Sequence, residues 1–395
     1  MTDTERTTPE VDERLDDRLR YIETVDETGR FSTRRCELRL DGEEDAVSSL
    51  VLHSLRVRMG ATTLHAEGVG GVQTRPEHQR RGFNDRLIRR ALAGAKQRVA
   101  AVFLYGIEKY YPRYGFATCL AESSMSVWVR RTKALRLPER WAARAAAADD
   151  LPAVIGLFNE LHARRPWTLV RDARVIPHLL GRTAWRPRPD IVLYEHDGTV
   201  EAYAVIAHHP FGWNGRTFTV LEAGARDLTG AHVVLADLSN RCREADLEQL
   251  TIEEPTDSLV GLAARSLGCT VTVTTGPDGG GMGTMLDRLA VVNELAGELE
   301  RRARERIADQ LQSSTSVAGA IDRVVAGLAA GDLVPDDGAL LRLLVGYRSW
   351  DESVALDEVG SGCESGAQDA TCRLFFPGGT TSVLPVPYAH RLDRY

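Results

Sequence analysis

The chain has 395 residues, of which 43% are hydrophobic and 27% are charged. At about 150 residues per domain this length indicates two or three domains, and the composition excludes a disordered chain. The net charge of −7 argues against nucleic acid as a main partner, because binding to phosphate backbones needs a broad basic face.

The cysteines and the start of the chain indicate in which cellular compartment the protein is expected. The six cysteines lie far apart, with no CxxC pair, so we expect neither a zinc site nor a disulfide framework. The opening MTDTERTTPEVDERLDD lacks the basic end and apolar stretch of a signal peptide. No apolar run approaches the roughly 18 residues of a membrane helix. We therefore expect a cytoplasmic protein without a membrane partner.

The first part of the chain reads as a polar tail followed by an α/β region. Residues 1–25 are polar and predict a flexible tail. Apolar residues at helical spacing between Leu87 and Ala95 predict a helix. Strands are predicted on both sides of it, over 33–40, 49–57, 65–74, 99–106 and 124–129.

A second block follows a boundary predicted near 134–141. Asp149 or Asp150 would cap its first helix. Strands are predicted over 191–196, 200–209 and 217–225. A third segment begins near Leu286 with a charged helix and ends in short strands through 375–388. The alternation of strands and helices predicts an α/β (α+β) fold.

The segment VQTRPEHQRRGFNDRL (72–87) is the most informative. A strand ends, arginines follow, Gly82 permits a tight turn, and a helix starts at once. Free N–H groups at a helix start favour a negative group, and arginine matches phosphate geometry. An arginine-rich surface helix explains the loop alone equally well. The other glycine-rich stretch, GPDGGGMG (276–283), is predicted to be a plain turn.

Two motifs together resemble the GCN5-related N-acetyltransferase (GNAT) superfamily, and within it the multidomain Eis (enhanced intracellular survival) group. They are GVGGVQTRPEHQRRGF (68–83) and YYPRYGFA (110–117). QRRGFN (79–84) stands where that superfamily has its Q/R-x-x-G-x-G/A loop, with Asn84 in place of Gly or Ala. YPRYGF (111–116) is similar to the group's Tyr-x-Arg-Phe/Tyr-Gly-Tyr/Phe signature.

The resemblance extends over most of the chain through 276–292 and 338–349, the latter similar to a sterol-carrier-like region. It implies tandem GNAT-like mixed-sheet domains followed by a sterol-carrier-like α/β domain, and a homo-oligomer, a hexamer in the family. We expect a flexible tail, a catalytic GNAT domain, a second GNAT-like domain and a C-terminal domain over 1–25, 26–135, 136–285 and 286–395. The second block lacks a convincing QxxGxG/A loop, so we expect it to be a scaffold.

The resemblance implies an acetyl-CoA-dependent N-acetyltransferase without a metal. Its acceptor would be a primary amine on a small molecule or peptide, such as an aminoglycoside, a polyamine or a lysine-like group. Main-chain groups at the end of the third strand would pair with the pantetheine arm, and the loop would hold the pyrophosphate. The implied binding residues are Val72, Thr74, Gln79, Arg80, Arg81, Gly82, Phe83 and Asn84.

The catalytic groups also follow from the resemblance. Tyr111 occupies the family's general-acid position, and a phenol of pKa about 10 can protonate a thiolate whose acid form lies near 8.5. From the residues alone a packed aromatic is the favoured interpretation of Tyr111, and Tyr110 stays an alternative acid.

The base would be the terminal carboxylate of Tyr395, in an LDRY ending with Asp393 as the matching acid. A carboxyl of pKa around 3.5 would orient the amine and take its proton through water. Glu67 and Glu108 are alternative bases.

One departure from the Eis pattern affects the acceptor. That group has a first strand and two helices ahead of the region equivalent to 33–40, where this chain has only a short polar segment. A non-catalytic acyl-CoA-binding or regulatory protein is therefore the alternative function. An acyl donor other than acetyl, or an aminoacyl group from charged tRNA, is a third hypothesis, and the acidic balance argues against the tRNA.

Overall fold

The structure is a computed structural model, and the chain folds into two compact units. The first contains the described residues up to 120 and those from 280 on, and the second contains those from 121 to 274. The residues described are 10–27, 32–107, 109–176, 189–207, 217–274, 280–308, 315–360, 372–373 and 375–376.

The first unit holds one mixed sheet and the helices around it. Its strands are β1 (Val11–Arg14), β2 (Leu19–Asp26), β3 (Thr33–Leu40), β4 (Ser48–Met59), β5 (Thr62–Thr74), β6 (Ala101–Tyr105), β7 (Ala117–Thr118) and β16 (Gly281–Met285). Its α-helices are α1 (Phe83–Ala95), α5 (Arg288–Ala308), α6 (Thr315–Ala330), α7 (Asp337–Leu344) and α8 (Trp350–Ala355). The strand order is β1-β2-β3-β4-β5-β6-β16-β7.

The second unit also contains a mixed sheet with helices around it. Its strands are β8 (Glu122–Trp128), β9 (Trp141–Ala145), β10 (Thr168–Leu169), β11 (Asp190–His196), β12 (Thr199–Ile206), β13 (Thr217–Ala225), β14 (Gln249–Ile252) and β15 (Thr270–Thr274). Its helices are α2 (Leu151–Leu161), α3 (Leu228–Glu244) and α4 (Leu259–Ser266). The sheet order is β15-β8-β14-β13-β12-β11-β9, in which β13 and β14 are parallel.

The first core forms between α1 and the sheet. Leu87 and Ile88 on the inner face of α1 are buried against Leu50, Val69 and Leu104, which lie on the neighbouring strands β4, β5 and β6. This is the apolar stripe that the spacing of the helix predicted. Burying it fixes α1 across the middle of the sheet, directly after the loop that ends β5.

The helices after residue 287 pack onto the same sheet. Glu298 on α5 accepts a hydrogen bond from the Ala61 N–H (3.0 Å) in the β4–β5 turn, and Glu294 accepts one from the His65 N–H (3.1 Å). A Cβ at Gly283 on β16 would lie 2.6 Å from the Leu341 side chain on α7, so a glycine is needed for α7 to approach this closely. The described part of this segment is thus one folded unit with the first sheet.

Several predicted boundaries differ from the structure. The predicted tail over 1–25 contains β1 and most of β2, because alternate residues such as Leu19 and Tyr21 are buried in the first core. The strand predicted over 124–129 is β8, which pairs with β14 and β15 in the second sheet. The chain changes units near residue 120, not near 135.

The end of the chain also differs from expectation. The glycine-rich stretch predicted as a turn supplies β16, which lies between β6 and β7. The described residues from 288 to 355 are mainly helical and pack with the first sheet, and the sterol-carrier-like character of this segment stays a prediction. The short strands predicted through 375–388 fall almost entirely outside the described residues.

Candidate active site

The first feature of the site is an opening between two parallel strands. β5 and β6 pair only from Ala66 opposite Ala101 to Val69 opposite Leu104, after which β5 continues to Thr74 without β6. The β4–β5 register also shifts by one residue in this stretch, where Gly71 adopts a φ of 58°. Such a bulge bends its strand and commonly lies beside functional sites.

The opening exposes main-chain hydrogen-bonding groups. The Arg75 N–H donates to the Val47 carbonyl (3.0 Å) on the β4 side, so the alternation of the strand directs the main-chain groups of Val72 and Thr74 to the open side. The Thr74 carbonyl accepts a hydrogen bond there from the Gln79 side chain (3.1 Å). The predicted pantetheine-binding positions are thus at the edge of the opening.

The second feature is the loop that joins β5 to α1. Gly82 is the N-cap residue in the left-handed region, with a φ of 79°, and no side chain caps the helix. A Cβ placed at Gly82 would meet nothing within 4 Å, so open space lies in front of the first turn of α1. Arg80 also has a positive φ (60°), a strained conformation for a residue with a side chain. Unpaired N–H groups and open space together fit an anion.

The loop side chains are held to different degrees. Arg81 donates to His78 Nδ1 (3.1 Å) and lies over the Phe83 ring at 5.1 Å. Arg80 is exposed and has no hydrogen-bond or ion-pair partner among the described residues. Phe83 is buried in the first core, so it anchors the helix start and does not extend into the open space.

The third feature is the tyrosine tract, a single 3-10 turn over Tyr111–Tyr114. Tyr111 is 9% exposed, and within the described part of the chain its hydroxyl makes no hydrogen bond. Its ring lies against Gly106, where a Cβ would be 2.3 Å from it, and edge-on to Tyr110 (5.1 Å between centroids). Burial, and next the neighbouring Tyr110, raise the pKa of Tyr111 above its usual value. The phenol is therefore protonated throughout the neutral range.

A hydrogen bond joins the tract to the loop. Asn84 donates from Nδ2 to the Tyr110 hydroxyl (2.6 Å), and Tyr114 donates to the same oxygen (3.4 Å). The Asn84 Oδ1 is buried and has no partner among the described residues. Asn84 therefore links the first turn of α1 to the aromatic tract and keeps one acceptor available.

Of the two alternative bases, Glu67 is already bonded to an arginine and Glu108 lies outside the described residues. Glu67 is 4% exposed and accepts hydrogen bonds from Arg98 at 2.9 and 3.3 Å. Both oxygens of this carboxylate are thus already bonded to a guanidinium, so the pair serves the packing of the fold. Glu108, Asp393 and Tyr395 lie outside the described residues, so the terminal-carboxylate base stays a prediction.

The corresponding opening of the second unit is filled by its own side chains. β13 and β14 pair only from Thr217 to Val220, and the Glu254 carboxylate then accepts the Ala223 N–H (2.9 Å). Asp227 caps α3 by accepting from the Gly230 N–H at 2.7 Å. The main-chain donors that a pantetheine arm and a phosphate would use are thus already bonded, which supports a scaffold role for this unit.

Sequence reasoning did not identify two residues that shape the loop. His78 is buried beneath it, and Glu43, from the β3–β4 turn, contacts His78 and Arg75. A histidine next to the arginines was the only signal in the sequence, and its partner is far away along the chain.

The described residues hold neither a metal-ligand cluster nor a membrane-spanning helix. They contain no group of three or more His, Cys, Asp or Glu side chains that could hold a metal ion. No helix in the ranges that the structure describes is long and apolar enough to cross a membrane.

Comparison with known proteins gives a family match for the N-terminal part of the first unit. Residues 13–119 match the family model described as the acetyltransferase (GNAT) domain. An uncharacterized N-acetyltransferase of Streptomyces griseus is 32% identical over 127 residues, which cover 29% of this chain and 30% of the relative. One of Streptomyces avermitilis is 28% identical over 177 residues, covering 42% and 40%. The chain thus matches less than half of the length of these curated relatives.

Solved structures extend the likeness in fold. A GCN5-related N-acetyltransferase of Anabaena variabilis superposes with a TM-score of 0.65 at 10% identity, covering 92% of this chain and 89% of that one. Eis1 of Mycobacterium abscessus gives 0.60 at 15% identity, with 91% of each chain covered. At these identities the likeness concerns the fold alone. The predicted GNAT acetyltransferase domain is confirmed for residues 13–119.

Proposed function

We propose that this chain is an acetyl-CoA-dependent N-acetyltransferase that transfers the acetyl group to a primary amine. The observation that carries the proposal is the opening beside β5, because it combines exposed main-chain groups with an uncapped helix start. Tyr111 belongs to the same core cluster as Val69 and Leu104, the pair at which β5 and β6 separate. An acyl-CoA needs these three services: a strand edge for its pantetheine amides, an anion site for its pyrophosphate, and a proton for its thiolate.

The residues fit this substrate. Val72 and Thr74 pair with the pantetheine arm, and the α1 start with Arg80 and Arg81 receives the pyrophosphate. Arginine forms paired, charge-assisted hydrogen bonds with phosphate oxygens, which suits this end of the site.

The transfer follows direct attack on the thioester. The unprotonated amine nitrogen attacks the acetyl carbonyl carbon, the C–N bond forms and the C–S bond breaks. The Tyr111 hydroxyl gives its proton to the leaving thiolate, so that free CoA thiol is released. The proton lost by the amine passes through water, in our proposal with help from the carboxylate of Tyr395, and water returns a proton to Tyr111.

The acceptor side is built differently from that of the Eis group. β2 ends at Asp26 and β3 begins at Thr33, which leaves no room for two intervening helices. Aminoglycosides, polyamines and lysine-bearing peptides are the amines to test. The Eis-type assignment, the sterol-carrier-like end and a hexamer stay proposals that rest on the resemblance. A cytoplasmic location stays a proposal that rests on the cysteines and the apolar pattern of the sequence.

Replacing Gly82 with valine tests the loop. A β-branched residue at a φ of 79° costs about 1–2 kcal/mol, so the loop shifts and we expect acetyl-CoA to bind about tenfold more weakly by calorimetry. The matched control is Gly198→Val in the second unit, which has the same φ of 79° and equally open surroundings. Equal affinity in the two variants would contradict the proposed site.

Turnover separates the two function classes. The full chain with acetyl-CoA and the amine panel should release CoA thiol in a continuous thiol assay, and mass spectrometry should show an acceptor heavier by one acetyl group. Tight binding of acetyl-CoA without transfer to any amine would instead support an acyl-CoA-binding protein.

A further inference from the structure

His78 lies buried beneath the arginine loop, between a carboxylate and a guanidinium. It is 6% exposed, its Nε2 is 3.1 Å from Glu43 Oε2, and its Nδ1 is 3.1 Å from Arg81 Nη1. The ring also meets Phe83 edge-on at 5.8 Å between centroids. Three segments that are separate in the sequence, the β3–β4 turn, the 3-10 turn after β5 and the loop before α1, therefore converge on one imidazole.

The contacts fix the position of the proton on this imidazole. A guanidinium can only donate hydrogen bonds, so the Nδ1 of His78 must accept from Arg81 and carries no proton. The proton of the neutral ring is then on Nε2, from which it donates to Glu43 Oε2. The carboxylate thus selects the one tautomer that can hold Arg81.

We propose that Glu43 and His78 position Arg81 to receive the pyrophosphate of the acyl donor, an inference that rests on the proposed function. Arg81 uses one of its five N–H groups on His78, and its side chain lies over Phe83 while remaining exposed. Its remaining N–H groups are then held in place before the ligand arrives, which reduces the entropy lost on binding. Arg80, with no such partner among the described residues, adds charge without this preorganisation.

Two substitutions at the same residue separate the two hydrogen bonds. The amide of His78→Asn places an acceptor where Nδ1 is, so it can still hold Arg81. The longer side chain of His78→Gln reaches the place of Nε2, so it keeps Glu43 but not Arg81. Both lose the ring and its contact with Phe83, so their difference reports the bond to Arg81.

We expect His78→Gln to raise the calorimetric Kd for acetyl-CoA about tenfold and His78→Asn less than threefold, since one charge-assisted hydrogen bond to phosphate has an effect of this order. The Kd for pantetheine, which lacks the pyrophosphate, and kcat at saturating acetyl-CoA should stay unchanged in both. Equal affinities of the two variants for acetyl-CoA, or an equal loss for pantetheine, would overturn the proposal. Wild-type protein that binds no acetyl-CoA would instead refute the proposed function itself.

A second variant gives an answer even if His78→Gln does not fold. Glu43→Leu removes the carboxylate that accepts the Nε2 hydrogen, so His78 loses the partner that keeps its Nδ1 free to accept from Arg81. We expect this variant to raise the Kd for acetyl-CoA at least threefold and to leave the Kd for pantetheine unchanged. An unchanged Kd for acetyl-CoA would overturn the role of Glu43.

Discussion

Replacing Tyr111 with phenylalanine is expected to lower kcat about 100-fold or more, while the Kd for acetyl-CoA changes less than twofold. General acid catalysis contributes about 10²–10⁴-fold, and the phenylalanine ring still fills the space against Gly106. The hydroxyl makes no hydrogen bond within the described residues, so its removal leaves no partner unsatisfied. The measurement is thiol release at saturating substrates, with calorimetry for the donor.

Tyr110→Phe is the matched control, because it removes a neighbouring hydroxyl from the same turn. That hydroxyl accepts from Asn84 at 2.6 Å, so its loss should loosen the link to the loop and raise the KM for acetyl-CoA, with a smaller effect on kcat. If the large loss of kcat belongs to Tyr110→Phe and not to Tyr111→Phe, the general acid is Tyr110.

The direction of the Tyr111 pKa adds a pH criterion. Burial raises this pKa, so the protonated donor form persists above the usual value of about 10 for a phenol. We expect no decline of kcat from loss of this proton below that pH. An alkaline decline near pH 8 that disappears in Tyr111→Phe would contradict the assignment.

The site was predictable where its chemistry lies in short segments. The loop from Gln79 to Asn84 and the tract from Tyr111 to Phe116 each fold locally, as a helix start and a 3-10 turn, so the sequence pattern alone places them. The opening beside Val72 and Thr74 was expected only from the resemblance, because it depends on where β6 stops pairing with β5.

Contacts between distant segments were not predictable in this way. β16 joins the sheet beside β6 although it follows that strand by the whole second unit, and no local pattern specifies the partner of a strand. Glu67 reads as a candidate base in the sequence, yet Arg98 binds both of its oxygens. The tautomer of His78 likewise depends on Glu43, which the sequence places thirty-five positions earlier.

The polar cluster inside the second unit leads to the largest stability effect that we expect. Arg171 donates to both oxygens of Glu222, at 2.9 and 2.7 Å, and neither side chain is more than 2% exposed. Tyr203 donates to the same carboxylate (2.8 Å), and the Arg171 guanidinium lies 3.5 Å from the centroid of the Phe158 ring. The cluster fills the opening of the second sheet with protein groups.

Arg171→Met should therefore lower the free energy of unfolding by about 3–5 kcal/mol, because it leaves the Glu222 carboxylate buried without its cation. Glu254 lies in the same interior, where burial and the proximity of Glu222 raise its pKa. Urea denaturation followed by far-UV circular dichroism measures the loss. The double variant Arg171→Met with Glu222→Leu should recover most of it, since both charges are then absent.

Removing an exposed ion pair is the control for this experiment. Arg140 and Asp197 form a salt bridge in the second unit with side chains 70% and 45% exposed, and Arg140→Ala should leave the urea midpoint nearly unchanged. Equal shifts for Arg171→Met and Arg140→Ala would show that the buried pair adds no more stability than the exposed one, which would contradict this prediction.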